Sequence, residues 1–243
     1  MLPDSHPTIT LLVQIGQLVT YLFGAIAAIV AVVGLNTWRR QLVEGQRIKL
    51  ASEALEHFYI ARDALKAVRS GAAFANEFEE IARLPDETKR QYDARSVLAL
   101  VLLRFDKTSG TFSKIEALRY QFMAAFGQSS TQPFDLLRRA TSELIAAVHT
   151  CMQLERYVVS NDEVGVAVPD GLYQQVKDMH EKIWGAITGQ PPDTITKGVN
   201  DAVSEIEKLC LPVINPPSRF DRFKAASRRV LSTAKRRLLF WRP

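Results

Sequence analysis

The chain holds only two cysteines in 243 residues, Cys151 and Cys210. Two thiols so far apart make no disulfide framework and follow no metal or redox spacing. They fit a reducing compartment and the role of small core fillers, because free cysteine is among the most buried residue types. Histidine is nearly as scarce, with His6, His57, His149 and His180 as the whole set. His149 and Cys151 stand two apart and therefore on different faces of a helix, which argues against a shared metal. His57 and His180 read as helix-surface or boundary residues. There is no glycine-rich phosphate loop, no Cys-x-x-Cys, no His-Glu-x-x-His and no nucleophile elbow. The acidic pairs Glu79-Glu80, Asp86-Glu87 and Asp162-Glu163 read as helix starts or solvated surface. No catalytic, cofactor-binding or metal-binding residue is assigned, no cofactor is expected, and no motif supports an enzyme.

Charge is missing from one long stretch. Between Ser5 and Trp38 there is no Asp, Glu, Lys or Arg. Inside it, Ile9 to Leu35 is a nearly continuous apolar run of 27 residues. At 1.5 Å per residue that is roughly 40 Å of helix, ample for a hydrocarbon core of about 30 Å. A cleaved signal peptide would need a basic leader and a much shorter apolar run. Here the leader has no Lys or Arg, and the basic residues Arg39, Arg40, Arg47 and Lys49 follow the run. Because Lys and Arg concentrate on the cytoplasmic side, the short N-terminus is expected outside and the rest inside. Trp38, Arg39 and Arg40 are expected at the membrane interface. Gln14, Gln17, Tyr21, Gly24, Ala28 and Ala31 recur at steps of three and four, so they share one helix face. Small residues there let backbones approach and amides bond across a contact, which suggests a packing face for self-association. The competing reading leaves Gln14 wetted at the outer interface and the small residues without a partner.

Proline is absent from Thr8 to Leu84. Trp38, Leu42, Ile48, Leu55, Phe58, Leu65 and Val68 are spaced in multiples near 3.6, predicting a helix that leaves the membrane and runs to about Arg69, with Gly45 its weak point. Further helices are expected at 75–82, from Pro85-Asp86 to Phe126-Gly127 with a kink at Ser109-Gly110, from Pro133 to near Val159, and at 172–188 and 194–213. The apolar run Val97–Leu103 reads as buried helix, since helix formers flank it and no second strand exists to pair with it. Alternation of apolar and polar residues is lacking throughout. The expected fold is all-α: residues 1–8 external, 9–37 transmembrane, 38–214 a cytoplasmic helical bundle, and 215–243 a basic amphipathic tail.

The tail carries the basic charge. Nine Lys or Arg and one acid, Asp221, lie between Arg219 and Arg242, while the whole chain has net charge +5, so the remainder is net acidic. On a helical wheel Phe220, Phe223, Val230, Leu231, Ala234, Leu238 and Trp241 fall within roughly one third of the circumference. Arg222, Lys224, Arg228, Arg229, Lys235, Arg236 and Arg237 take the rest. That is the composition of a helix lying in a membrane interface, drawn to anionic lipid. Three other readings stay open: the apolar stripe packs on the bundle, the helix fits a calmodulin-type partner, which a bacterial origin disfavours, or the basic face meets nucleic acid. The last is disfavoured because no recognised nucleic-acid fold accompanies it.

Thr37-Trp38-Arg39-Arg40-Gln41-Leu42, Leu50-Ala51, Phe58-Tyr59, Ala61-Arg62-Asp63-Ala64 and Arg69-Ser70 form one block. Leu118 to Gly127 with Pro133-Phe134-Asp135 form a second. Together they resemble the signature of a family of bacterial inner-membrane proteins without an assigned activity. The resemblance spans roughly Thr37 to Leu154 and implies a membrane anchor and a helical body; it leaves the tail aside. Within these blocks Arg62, Asp63, Arg119, Tyr120 and Asp135 are candidates for a buried polar network, or else are solvated surface charges. The function expected is a membrane-anchored, non-enzymatic interaction or scaffold protein, self-associating through the anchor. Its alternative is a membrane-perturbing effector. The expected partners are the lipid bilayer, anionic lipid at the tail, and further copies of the chain.

Overall fold

The computed structural model describes the backbone of residues 7–185 and 193–216, and the side chains of residues 17, 20–185 and 193–216. All regular structure among them is helical. In chain order it comprises α1 (Pro7–Val68), α2 (Ala75–Glu79), α3 (Lys89–Phe126), a 3₁₀ turn (Gln128–Thr131), α4 (Gln132–Glu163), α5 (Asp170–Trp184) and α6 (Thr194–Ile214). The fold is all-α. The run Val97–Leu103 lies inside α3, with Leu98, Leu100 and Val101 buried and Val97 left exposed.

The chain divides into two units, Met1–Lys49 and Leu50–Pro243. The first contains the N-terminal part of α1. Among the described residues α1 is the one helix long and apolar enough to cross a membrane, and none of its most apolar window is buried. The regular spacing that predicts one long amphipathic helix splits at this boundary. Trp38, Leu42 and Ile48 are exposed, whereas Leu55, Phe58, Leu65 and Val68 are buried. Gly45 does not interrupt the helix.

In the second unit, Ala51, Ala54, Leu55, Phe58, Ala61, Leu65 and Val68 recur at the three- and four-residue steps that keep one helix face on a core. Helix α4 is the hub, packing against α3, α5 and α6. It supplies Phe134, Leu137, Ala140, Leu144, Ala147, Val148 and Cys151 to the core, and α6 answers with Ile195, Val199, Ala202, Ile206 and Cys210. Both cysteines are thus buried and free. At the centre Phe134 meets Phe58 edge-on at 5.1 Å and Phe122 at 5.5 Å, within the range where aromatic pairs add about 0.5–1.5 kcal/mol beyond burial. Helices α4 and α6 approach closely at Gly198, where an added Cβ would lie 3.3 Å from the Ala140 methyl.

Several ends differ from expectation. Helix α3 begins at Lys89, because Thr88 accepts from the Gln91 amide while the Gln91 side chain accepts from the Thr88 amide, a reciprocal cap. Asp86, expected to open this helix, has φ 61 and lies outside it. Helix α3 runs continuously through Ser109-Gly110. Helix α4 continues four residues past Val159 to Glu163, and α2 stops at Glu79.

Candidate functional site

The predicted anchor face begins with Gln14, which is helical, although its side chain lies outside the described residues. Gln17, Tyr21, Gly24, Ala28 and Ala31 are all exposed along α1. A Cβ built on Gly24 meets nothing within 4 Å. Trp38 is 59% exposed and is followed by exposed Arg39 and Arg40. Just before it, the Thr37 hydroxyl donates to the Val33 carbonyl at 2.8 Å, so this polar side chain is satisfied by its own helix. Phe220, Phe223, Arg228, Arg229, Lys235, Arg236, Arg237 and Trp241 of the tail lie outside the described residues.

In the second unit the polar residues tie helix ends together. Arg69 follows the last residue of α1 with its side chain only 8% exposed. Its Nε donates to the Ile183 carbonyl and its Nη2 to the Lys182 carbonyl, both at 2.8 Å. These are carbonyls of the last turn of α5, which lack partners within their own helix. Its Nη1 donates to Thr196 Oγ1 at 2.7 Å, and its Nη2 pairs with Asp193 Oδ1 at 3.0 Å. Asp193 is also the N-cap of α6, accepting from the amides of Ile195 and Thr196. Burial alone would raise the Asp193 carboxyl, but the hydrogen bonds from Thr196 and Arg69 outweigh it and hold it below its ordinary value. One guanidinium therefore joins the ends of α1 and α5 to the start of α6. Gly185 fits against it at φ 73, where a Cβ would lie 3.2 Å from Arg69 Nη2.

Two further arginines clamp the connection between α1 and α3. Arg104 donates to both Glu77 oxygens and to the carbonyls of Ser70 and Ala72. These bonds, with one from the Phe74 amide, lower the Glu77 carboxyl from 4.5 to about 2. Arg95 forks onto Glu87 at 2.6 and 2.9 Å and reaches the Ala82 carbonyl. Glu87 is thereby corrected from solvated surface to a buried ion-pair partner, its side chain 8% exposed.

The expected network of Arg62, Asp63, Arg119, Tyr120 and Asp135 does not form as a unit. Arg62 and Asp63 pair with each other on the surface, and Tyr120 is 60% exposed. Arg119 and Asp135 do bond at 3.2 Å, bridging α3 and α4.

A third arrangement joins α4 to α5. Ligand atoms of Cys151, Glu155 and His180 lie within 4.8 Å of one another. His180 Nε2 and Glu155 Oε1 are 2.5 Å apart, and the Trp184 indole N–H donates to His180 Nδ1 at 3.2 Å. Cys151 and then Glu155 raise the imidazole above its ordinary 6.5. The indole N–H opposes them, since it needs the Nδ1 lone pair. His180 does lie at the boundary, its side chain 30% exposed, and these contacts add partners that its place in the sequence does not show. The cluster's signal in the sequence was the i, i+4 spacing of Cys151 and Glu155, which puts two ligand-type residues on one helix face. His180 itself lies 25 residues beyond Glu155 and carries no such mark.

Compared with models of known families, with curated proteins and with solved structures, the chain matches none.

Proposed function

We propose that this protein is a membrane-tethered helical interaction protein, held in a bacterial inner membrane by the N-terminal part of α1. The observation that carries the reading is the exposure of the apolar side chains in that segment. Tyr21, Leu22, Phe23, Ile29, Val30, Val32, Val33 and Leu35 are each more than half exposed, and no acid or base accompanies them. Leaving one such aliphatic or aromatic side chain in water forgoes about 1.5–3 kcal/mol. A lipid environment removes that cost, and a helix satisfies its own backbone there. The bases at Arg39, Arg40, Arg47 and Lys49 support an N-terminus outside and a helical domain in the cytoplasm.

An interaction role, in preference to catalysis, is supported by how the polar groups are used. Arg69, Arg95 and Arg104 all bond to helix ends or to the connection between helices. The face bearing Gln17, Tyr21, Gly24, Ala28 and Ala31 is the proposed surface for a second copy, with small residues allowing close approach. Crosslinking the full-length protein in native membranes tests this. Wild type should give a dimer or higher species that Gly24→Ile diminishes, and a wild-type protein that stays monomeric at all crosslinker levels would refute self-association.

A second reading, a membrane-perturbing effector, is favoured by the composition of residues 219–242, where nine bases flank an apolar stripe. Dye-loaded anionic vesicles distinguish the two: leakage at rising protein load supports the effector, and intact vesicles support the tether.

A further inference from the structure

We propose that Cys151, Glu155 and His180 form a zinc site between α4 and α5, an inference that does not depend on the membrane reading. Cys151 and Glu155 are one helical turn apart on α4, so both project from the face that packs against α5. His180 enters from α5, and the three ligand atoms already lie within 4.8 Å of one another. Tetrahedral zinc with bonds of about 2.0–2.3 Å places its ligand atoms roughly 3.4–3.6 Å apart. Small side-chain rotations reach that geometry, with the His180–Glu155 contact opening by about 1 Å.

A plain core explains a buried thiol. It does not explain the carboxylate one turn along the same face, whose Oε2 is buried without a hydrogen-bond partner. An ionised oxygen in that position is costly unless a donor or a cation meets it. The ligand set of one sulfur, one nitrogen and one oxygen suits zinc or cobalt and is poorly matched to magnesium or calcium. Three protein ligands leave a fourth position for water, reached from the His180 edge, where that side chain is 30% exposed.

Loading has a defined proton balance. The Cys151 thiol gives up its proton to solvent as the sulfur–metal bond forms. His180 binds through Nε2, which gives its proton to solvent while Nδ1 takes one up, so the ring is neutral in the bound form with its proton on Nδ1. The Trp184 indole N–H, which donates to that nitrogen in the metal-free geometry, must then turn away. Trp184 is therefore a built-in reporter.

The test uses full-length protein in detergent, stripped with a chelator and titrated with Zn²⁺ against a chromophoric competitor, and with Co²⁺ alone. The expected result is one metal per chain, a sulfur-to-cobalt charge-transfer band, and tetrahedral cobalt absorption. Cys151→Ser should lose the charge-transfer band, while Cys210→Ser keeps it. His180→Gln, at a partly exposed position that tolerates replacement, should weaken Zn²⁺ by at least about tenfold. Zinc should change the tryptophan emission of wild type but not of Trp184→Phe. A wild-type protein with no charge-transfer band, or equal Zn²⁺ affinity in wild type, Cys151→Ser and His180→Gln, would overturn the proposal.

Discussion

Arg69 illustrates how much of this structure rests on single side chains. Its guanidinium has four acceptors at the end of α5 and the start of α6, and its charge partner Asp193 has a side chain only 17% exposed. Removing one member of a buried pair leaves the other uncompensated, at about 3–5 kcal/mol. Arg69→Ala should lower the unfolding free energy by that order, measured by urea denaturation followed by far-ultraviolet circular dichroism. Arg69→Lys should recover only part of it, since an ammonium cannot span the fork that holds two carbonyls, a hydroxyl and a carboxylate. Gly185→Ala should also destabilise, by about 1 kcal/mol or more, because its φ of 73 disfavours a side chain and a Cβ would crowd Arg69. None of this was legible in the sequence. Arg69 reads there as one more base at a helix end, and its acceptors lie more than a hundred residues away. Burial of a charge is set by which distant helix ends converge on it, and local pattern carries no trace of that.

At the scale of elements, local pattern was far more informative. The five long helices follow from apolar spacing and from the absence of alternation, because a helix needs only local bonds and one apolar face. Most of the differences fall at ends. Pro85-Asp86 reads as the start of α3, yet the reciprocal Thr88–Gln91 cap decides it. The connection between α1 and α3 has little regular structure, and its order comes from Arg104 and Arg95 reaching back from α3. That design makes it sensitive to acid. Glu77 is lowered from 4.5 to about 2, chiefly by its hydrogen bonds from Arg104, and Glu87 is lowered chiefly by its hydrogen bonds from Arg95. Each carboxyl binds fewer protons folded than unfolded, so its stabilisation is complete above its unfolded value and is lost as pH falls through the folded one. The contribution of these carboxyls to the thermal midpoint should therefore be complete above about pH 5 and be lost steadily toward pH 2. Glu77→Gln should start lower and show a shallower fall over that range. A midpoint independent of pH between 5 and 3 would contradict the clamp.

For the whole molecule, the proposed membrane attachment raises the question of how many separate contacts would make it. Anchor and tail differ in physical kind, and so can be told apart by salt. An apolar span is held by area removed from water and is indifferent to ionic strength. A basic tail gains about 1 kcal/mol per Lys or Arg near an anionic surface, and that gain is screened by salt. The core contribution of α1 begins at Ala51, beyond the first unit, so a chain lacking residues 1–49 keeps every described core residue. That truncated chain should leave the membrane pellet in high salt, while full-length protein stays. At low salt it should bind anionic liposomes and ignore neutral ones, and the further loss of residues 217–243 should abolish this binding. Sedimentation with liposomes measures both. If the chain lacking residues 1–49 stays with membranes in high salt, the apolar span is not the anchor. If it ignores anionic liposomes at low salt, the tail makes no attachment, and the first segment alone holds the protein in place.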